Sequence, residues 1–352
     1  MSYLFEKIKV QFKSQLPFVC YCKPNSDTII ALLQKSDDLF ELTKDSVGFA
    51  FVSFDNEKRY INPEGQSDLY YEKVSVSDYA YPKNRAFESD KDAKTAFEAL
   101  VEKAVQEIDA GTFEKVVLSR REMVALQDFD LTLVFNQLIT SYPNAFNYSF
   151  YHPKVGFWLG ASPEQFLKVT ANKIQTIALA GTQLASSSQD ILWGDKEIVE
   201  QQIVADFIVA VLEKHAVSVS KSEPYTYKAG SILHIRTDIE AVLENESHLE
   251  NIIELLHPTP AVCGFPKEVA KNFILKNEGY DRAFYAGFLG EWNKDFKSFK
   301  EGHFDLFVNL RCMQIKDGHA IVYVGCGINQ GSQPEKEFME TVNKSQTMKK
   351  VL

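Results

Sequence analysis

The sequence predicts an α+β fold built on large sheets, and two features of its pattern carry that class. Several extended segments follow one another with no helix between them, which repeated βαβ units do not allow. Set among them are longer stretches of helical periodicity that stop at glycine or before proline. No internal repeat is visible and no Pro/Ser-rich linker interrupts the chain. The 352 residues therefore read as a single domain, 1–352, with a less regular portion over 1–90 and a more regular region over 95–350.

The elements follow in order. Residues 1–90 alternate short apolar runs (28–33, 39–42, 47–53) with polar turns and end near the aromatic-rich 78–82, a pattern of strands with irregular links. Over 90–110, Phe97, Leu100, Val101, Ala104, Val105 and Ile108 share one helix face, and Gly111 is the stop. Next come strand 115–119, helix 131–142 ending before Pro143, and strands 146–151 and 156–160. A further pair, 166–169 and 173–178, runs into a turn at Ala180-Gly181-Thr182. Helix 196–214, strand 231–243 and helices 248–255 and 266–277 lead to strands 284–291, 304–314 and 320–327. Pro334 then opens a closing helix.

Charge and cysteines narrow the function. A net charge of -10 without a lysine/arginine cluster argues against nucleic acid, whose phosphates need a basic footprint. No apolar run has the length of a membrane-crossing helix. The opening MSYLFEKIKVQFKSQ is amphipathic and charged, without the apolar centre and cleavage site of a signal peptide. Cys20, Cys22, Cys263, Cys312 and Cys326 are odd in number and lack zinc spacing, and scattered reduced thiols point to the cytoplasm.

Two acidic pairs stand out. Glu337 and Glu340 share a face of the closing helix, with Lys344 one turn beyond. Alone they are either a solvated, salt-bridged face or a metal and anion site. On helix 196–214, Val199, Ile203, Val204, Phe207, Ile208 and Val211 form one apolar arc at 100° per residue. Glu197 and Glu200 fall inside it, Glu200 near the centre, where a carboxylate needs a buried cation or a metal. Two such pairs facing each other would suit a hard cation, Mg2+ above all, which takes oxygen ligands and keeps waters.

Lys115 shares a strand face with Val117 and Ser119, and is either exposed or a desolvated base. Glu164 follows a strand and tight turn and is either solvated or a general acid. Ser162 lies in GxSxE with Pro163 behind it, which argues against a serine hydrolase elbow. Gly325, Gly327 and Gly331 are spaced GxGxxxG with too little chain left for a dinucleotide fold. His234, His257 and His303 form no metal-type pair; His257, before Pro258, is expected to cap a helix end.

Taken together these stretches resemble the chorismate-utilising enzymes: isochorismate and salicylate synthases, and the large subunits of anthranilate and aminodeoxychorismate synthases. The matching segments are FEKVVLSR (113–120), GASPE (160–164), ALAGT (178–182), DKEIVEQQIV (195–204) and LLHPTPAVCGFP (255–266). YDRAFYAGFLGEW (280–292), LFVNLRCMQI (306–315) and VYVGCGINQGSQPEKEFMETVNK (322–344) follow in the family's order. The resemblance implies a large two-sheet antiparallel β-sandwich flanked by helices, with 95–350 as the catalytic core. It implies Glu200 and Glu340 as Mg2+ ligands, with Glu197 and Glu337 holding metal-bound waters. Arg311, Tyr285, the Gly327 backbone and Lys344 match groups around the enolpyruvyl carboxylate of chorismate. His257 matches a histidine near the ring, and Ala180, Gly181 and Thr182 are expected against the substrate. Gln201 departs from the family, standing where most relatives have histidine, and is expected beside the metal rather than on it.

Within the family, ammonia-using members carry glutamine in place of Lys115. Water is a poorer nucleophile and needs a base, so Lys115 reads as water-activating, with Glu164 protonating the departing C4 hydroxyl. Ala180 occupies the position of a covalent lysine in aminodeoxychorismate synthases, so no covalent route is expected. The resemblance therefore implies an isomerase, isochorismate synthase, serving menaquinone or siderophore biosynthesis, menaquinone being the expectation. The rivals are salicylate synthase and a catalytically silent chorismate-binding homologue. A monomer without a glutamine amidotransferase partner is expected.

Overall fold

The computed structural model describes residues 3–74, 91–184, 191–229, 232–244 and 248–352. Two antiparallel sheets, of nine and ten strands among the described residues, are flanked by seven helices. The nine-stranded sheet is centred on β8 (Phe146–His152), β9 (Gly156–Ser162), β18 (Cys312–Lys316) and β19 (His319–Asn329), with β7 (Lys115–Ala125) beside β19. The ten-stranded sheet runs through β14 (Ile232–Leu243), β11 (Lys173–Leu184), β10 (Gln165–Thr170), β17 (His303–Val308), β16 (Phe288–Trp292) and β4 (Gly48–Val52). Residues 3–74 supply strands to both: β1 (Phe18–Cys22), β2 (Thr28–Gln34) and β6 (Ser67–Lys73) to the first, β3 (Phe40–Glu41), β4 and β5 (Arg59–Pro63) to the second.

Both faces of the central strands are covered, so they read as continuous apolar runs. On β1, Val19 and Tyr21 enter the core between the sheets, while Phe18, Cys20 and Cys22 face the outer layer. The core is aromatic: Phe51 stacks on Phe150 and on Phe284 at 4.2 Å each, and Phe146 on Phe307 at 4.4 Å. Helices α1 (Tyr3–Lys13) and α3 (Leu131–Ser141) cover the outer face of the nine-stranded sheet. Helices α2 (Lys91–Asp109), α6 (Lys267–Asn277) and α7 (Pro334–Lys349) cover its β7–β19 end. Helix α4 (Asp195–Leu212) lies on β11 and β14, and α5 (Leu249–Leu256) packs against it. All five cysteines are buried and unpaired. Among the described residues no helix is long and apolar enough to cross a membrane.

The sequence reading located most elements, with informative departures. The expected strand 304–314 is two, β17 and β18, and the chain changes sheets between them. Arg311 stands at that crossing with φ +47. The expected strand 284–291 starts only at Phe288, leaving Tyr285 in the preceding turn. The turn expected at Ala180-Gly181-Thr182 lies within β11, where the pairing to β14 shifts register between Ala180 and Gln183 and Gly181 adopts φ +68. The aromatic run 78–82 lies outside the described residues.

Candidate active site

The register of β7 on β19 sets the first catalytic candidate in place. Lys115 pairs with Asn329 at the end of that ladder, and β15 (Gly264–Phe265) closes the other edge. The lysine is 0% exposed, so the exposed-strand alternative is eliminated. Its Nζ lies 3.3 Å from Glu200 Oε1 but makes no aligned hydrogen bond among the described residues. Burial lowers its pKa, and the Glu200 carboxylate opposes that shift without cancelling it.

Glu164 sits between β9 and β10. Its backbone is held by the Ser162 hydroxyl (3.3 Å) and by Val308 N–H donating to its carbonyl (3.0 Å), which aims the side chain into a cavity. It is 4% exposed, and burial pushes its carboxyl up to about 8 despite Lys115, Lys344 and Arg311 nearby. At neutral pH this carboxyl keeps its proton.

The same cavity is lined by Ala180, Gly181, Thr182, Glu200, Tyr285, Arg311, Gly327 and Lys344, residues brought from sites 164 to 344 in sequence. Arg311 owes its place to the sheet crossing; its Nη1 donates to Thr347 Oγ1 (3.2 Å). A left-handed arginine is strained by roughly 1–3 kcal/mol, and its neighbour Asn309 holds the crossing by donating to the Phe284 carbonyl (2.8 Å). At Gly327 a side chain would meet the Glu200 carboxylate, so a larger residue there would displace that carboxylate.

A groove adjoins the cavity at Thr182 and is lined by Glu197, Glu337, Glu340 and Lys196. Glu200 is buried, Glu197 half-buried, Glu337 buried and Glu340 half-buried. Lysines answer three of them: Lys115 to Glu200, Lys196 to Glu337 (2.5 Å) and Lys344 to Glu340 (2.6 Å). For Glu200 burial raises the pKa, yet Lys115, Lys196 and Lys344 outweigh it and hold the carboxylate below its ordinary range. Burial raises Glu337, with Lys196 opposing. No three of these glutamates bring ligand atoms within 4.8 Å of one another; among the described residues that geometry occurs at Glu291, Asp295 and His303. There the Lys23 ammonium already bridges Glu291, Asp295 and Asp305. The donor set of the groove nonetheless fits a hard cation, being all carboxylate, and the lysine ammoniums stand where positive charge is demanded.

Three expectations shift. The buried residues of α4 are Glu200, Gln201, Val204, Ala205, Ile208 and Leu212, while Val199 is 52% exposed. The arc is rotated, so Glu200 lies at its edge, on the wall of the cavity. Gln201 is turned to β14, where its Nε2 donates to Thr237 Oγ1 (2.8 Å). His257 does not line the cavity: it ends α5, with Nε2 2.9 Å from the Ser53 carbonyl and Phe166 and Phe288 against the ring. The histidine in the cavity wall is His234 on β14, which sequence spacing had set aside. Its Nδ1 is 2.8 Å from the Gly181 carbonyl, an acceptor only, so the proton is on Nδ1. Nε2 has no partner among the described residues, and burial, with Arg311 and Lys344, pushes the ring down to about 3, leaving a neutral acceptor. No local motif marks His234; only the bulge opposite it does.

Comparison with known proteins bears on the family and the fold. The profile described as chorismate binding enzyme matches residues 53–352. The salicylate biosynthesis isochorismate synthase of Pseudomonas aeruginosa is 32% identical over 73% of this chain and 54% of its own length. Isochorismate synthase EntC of Escherichia coli K12 is 28% identical over 72% of this chain and 66% of its own. The chain thus spans between about half and two thirds of these relatives. The solved DhbC of Bacillus anthracis superposes with a TM-score of 0.79 at 24% identity, covering 99% of both chains, which shows the same fold. With its two antiparallel sheets and a profile match over residues 53–352, the chain belongs to the chorismate binding enzyme family.

Proposed function

We propose that this chain is a Mg2+-dependent isochorismate synthase, an isomerase acting on chorismate. The observation that carries the reading is a pair of buried groups: Lys115, whose unaligned Nζ lies 3.3 Å from Glu200 on the cavity wall, and Glu164, a carboxyl on the same wall that keeps its proton to about pH 8. The first suits a base for water and the second an acid for a leaving hydroxyl. Lys115 removes a proton from water as its oxygen bonds to ring C2. The two ring double bonds each move one position, and the C4–O bond breaks. Glu164 delivers its proton to that oxygen, so a water enters, a water leaves, and substrate and product are isomers.

Arg311 and Lys344 supply positive charge for the substrate's carboxylates, and His234 Nε2 supplies an acceptor for a hydroxyl. Glu200 and Glu340, with Glu197 and Glu337 behind waters, are the residues that would hold Mg2+. When bound, the ion supplies Lewis-acid and orienting chemistry at the ring carboxylate. The test is consumption of chorismate by the pure chain with Mg2+ and in excess EDTA. Turnover should need the ion; undiminished turnover in EDTA would remove the metal from the mechanism.

A further inference from the structure

The three lysines paired with the glutamates are not equivalent. Lys115 is sealed, at 0% exposure. Lys344 is tied twice, to Glu340 and to the Gly325 carbonyl at 3.1 Å. Lys196 differs: its side chain is 24% exposed, on the first turn of α4 at the mouth of the groove. Its backbone is fixed, since Asn329 Nδ2 donates to its carbonyl at 3.0 Å. Its ammonium reaches across to α7 and holds Glu337, whose side chain is only 3% exposed. Glu200 and Glu340 also act on it, so one ammonium neutralises part of three carboxylates at once.

A carboxylate as buried as Glu337 must keep a positive partner. An ammonium and a divalent cation repel each other and draw on the same oxygens, so each weakens the other's hold on it. Of the three lysines, Lys196 is the most exposed, at 24% against 14% for Lys344 and 0% for Lys115, and it does not line the cavity. Resting on the reading of these glutamates as the Mg2+ site, we propose that Lys196 is a displaceable counter-ion: it holds Glu337 until a divalent cation with its bound waters replaces it at that carboxylate, then swings out along the groove. The spacing of the glutamates accords with this, because no three of them converge while Lys196 is bound to Glu337. Lys196 thereby stabilises the chain without metal and lowers its affinity for the ion.

The experiment is Mg2+ titration of the full chain by calorimetry, without substrate, alongside melting in EDTA and in Mg2+. Lys196→Gln should bind Mg2+ about tenfold tighter or more, the scale expected on removing a close positive charge. Its melting temperature should fall in EDTA and recover in Mg2+. Lys196→Arg, which keeps the charge, should bind no tighter than wild type. Lys336→Gln, an exposed lysine on the same groove, should change affinity far less. Equal or weaker binding by Lys196→Gln, with wild type binding measurably, overturns the counter-ion role and leaves the metal reading standing. No binding by any variant overturns both. Should Lys196→Gln not fold in EDTA, refolding on addition of Mg2+ supports the competition and failure to refold contradicts it.

Discussion

Lys115 and Glu164 were legible as base and acid only through the family resemblance, not from their local sequence. From the chain alone a lysine in a strand and a glutamate after a turn each had a solvated alternative, and burial decides between them. The chemistry is then open to direct test. Lys115→Gln should lower kcat by about 10²–10⁴ while chorismate still binds, as measured by equilibrium titration. Unchanged kcat would remove Lys115 as the base. Glu164 must carry its proton to act, and it loses that proton near pH 8. Activity should therefore be present below about pH 8 and decline above it. Glu164→Gln should lower kcat and lose this alkaline limb; a limb that persists belongs to another group. His234 was not legible, because its role depends on a bulge in β11 that puts the Gly181 carbonyl under the ring.

At the scale of elements, helix periodicity identified α4 and α7 as carriers of the acidic pairs, and the structure sets both on one groove. Periodicity assigned the wrong centre to the α4 arc. Apolarity ranked Val199 as buried and the resemblance set Gln201 beside the metal, whereas the seam with β11 and β14 buries Gln201 by giving its amide a partner in Thr237. The same limit applies to Arg311: an apolar run over 304–314 reads as one strand, and only the change of sheet reveals the break. Glu340→Ala should abolish Mg2+-dependent turnover while circular dichroism and melting stay near wild type, since this residue is half-buried and bonded to Lys344 alone among its ion pairs. Loss of the fold would instead make it structural.

At the scale of the whole molecule the α+β class and the sandwich were legible from consecutive strands and the family resemblance, but the tie between the sheets was not. Lys23, just beyond β1 of one sheet, is shared by Glu291, Asp305 and Asp295, the first two on β16 and β17 of the other. Tyr21 adds a hydrogen bond to Glu291 at 2.7 Å. Lys23→Met strands buried Glu291 and should cost about 3–5 kcal/mol in denaturant unfolding; a loss under about 1 kcal/mol would show the network to be a passive surface feature. These sheets exist, in the present account, to bring Lys115, Glu164 and the two acidic helices around one substrate. Incubating the pure chain with chorismate and Mg2+ and resolving the products by chromatography tests that account most directly. Isochorismate is the predicted product; salicylate with pyruvate as the main products, or intact chorismate, would contradict it.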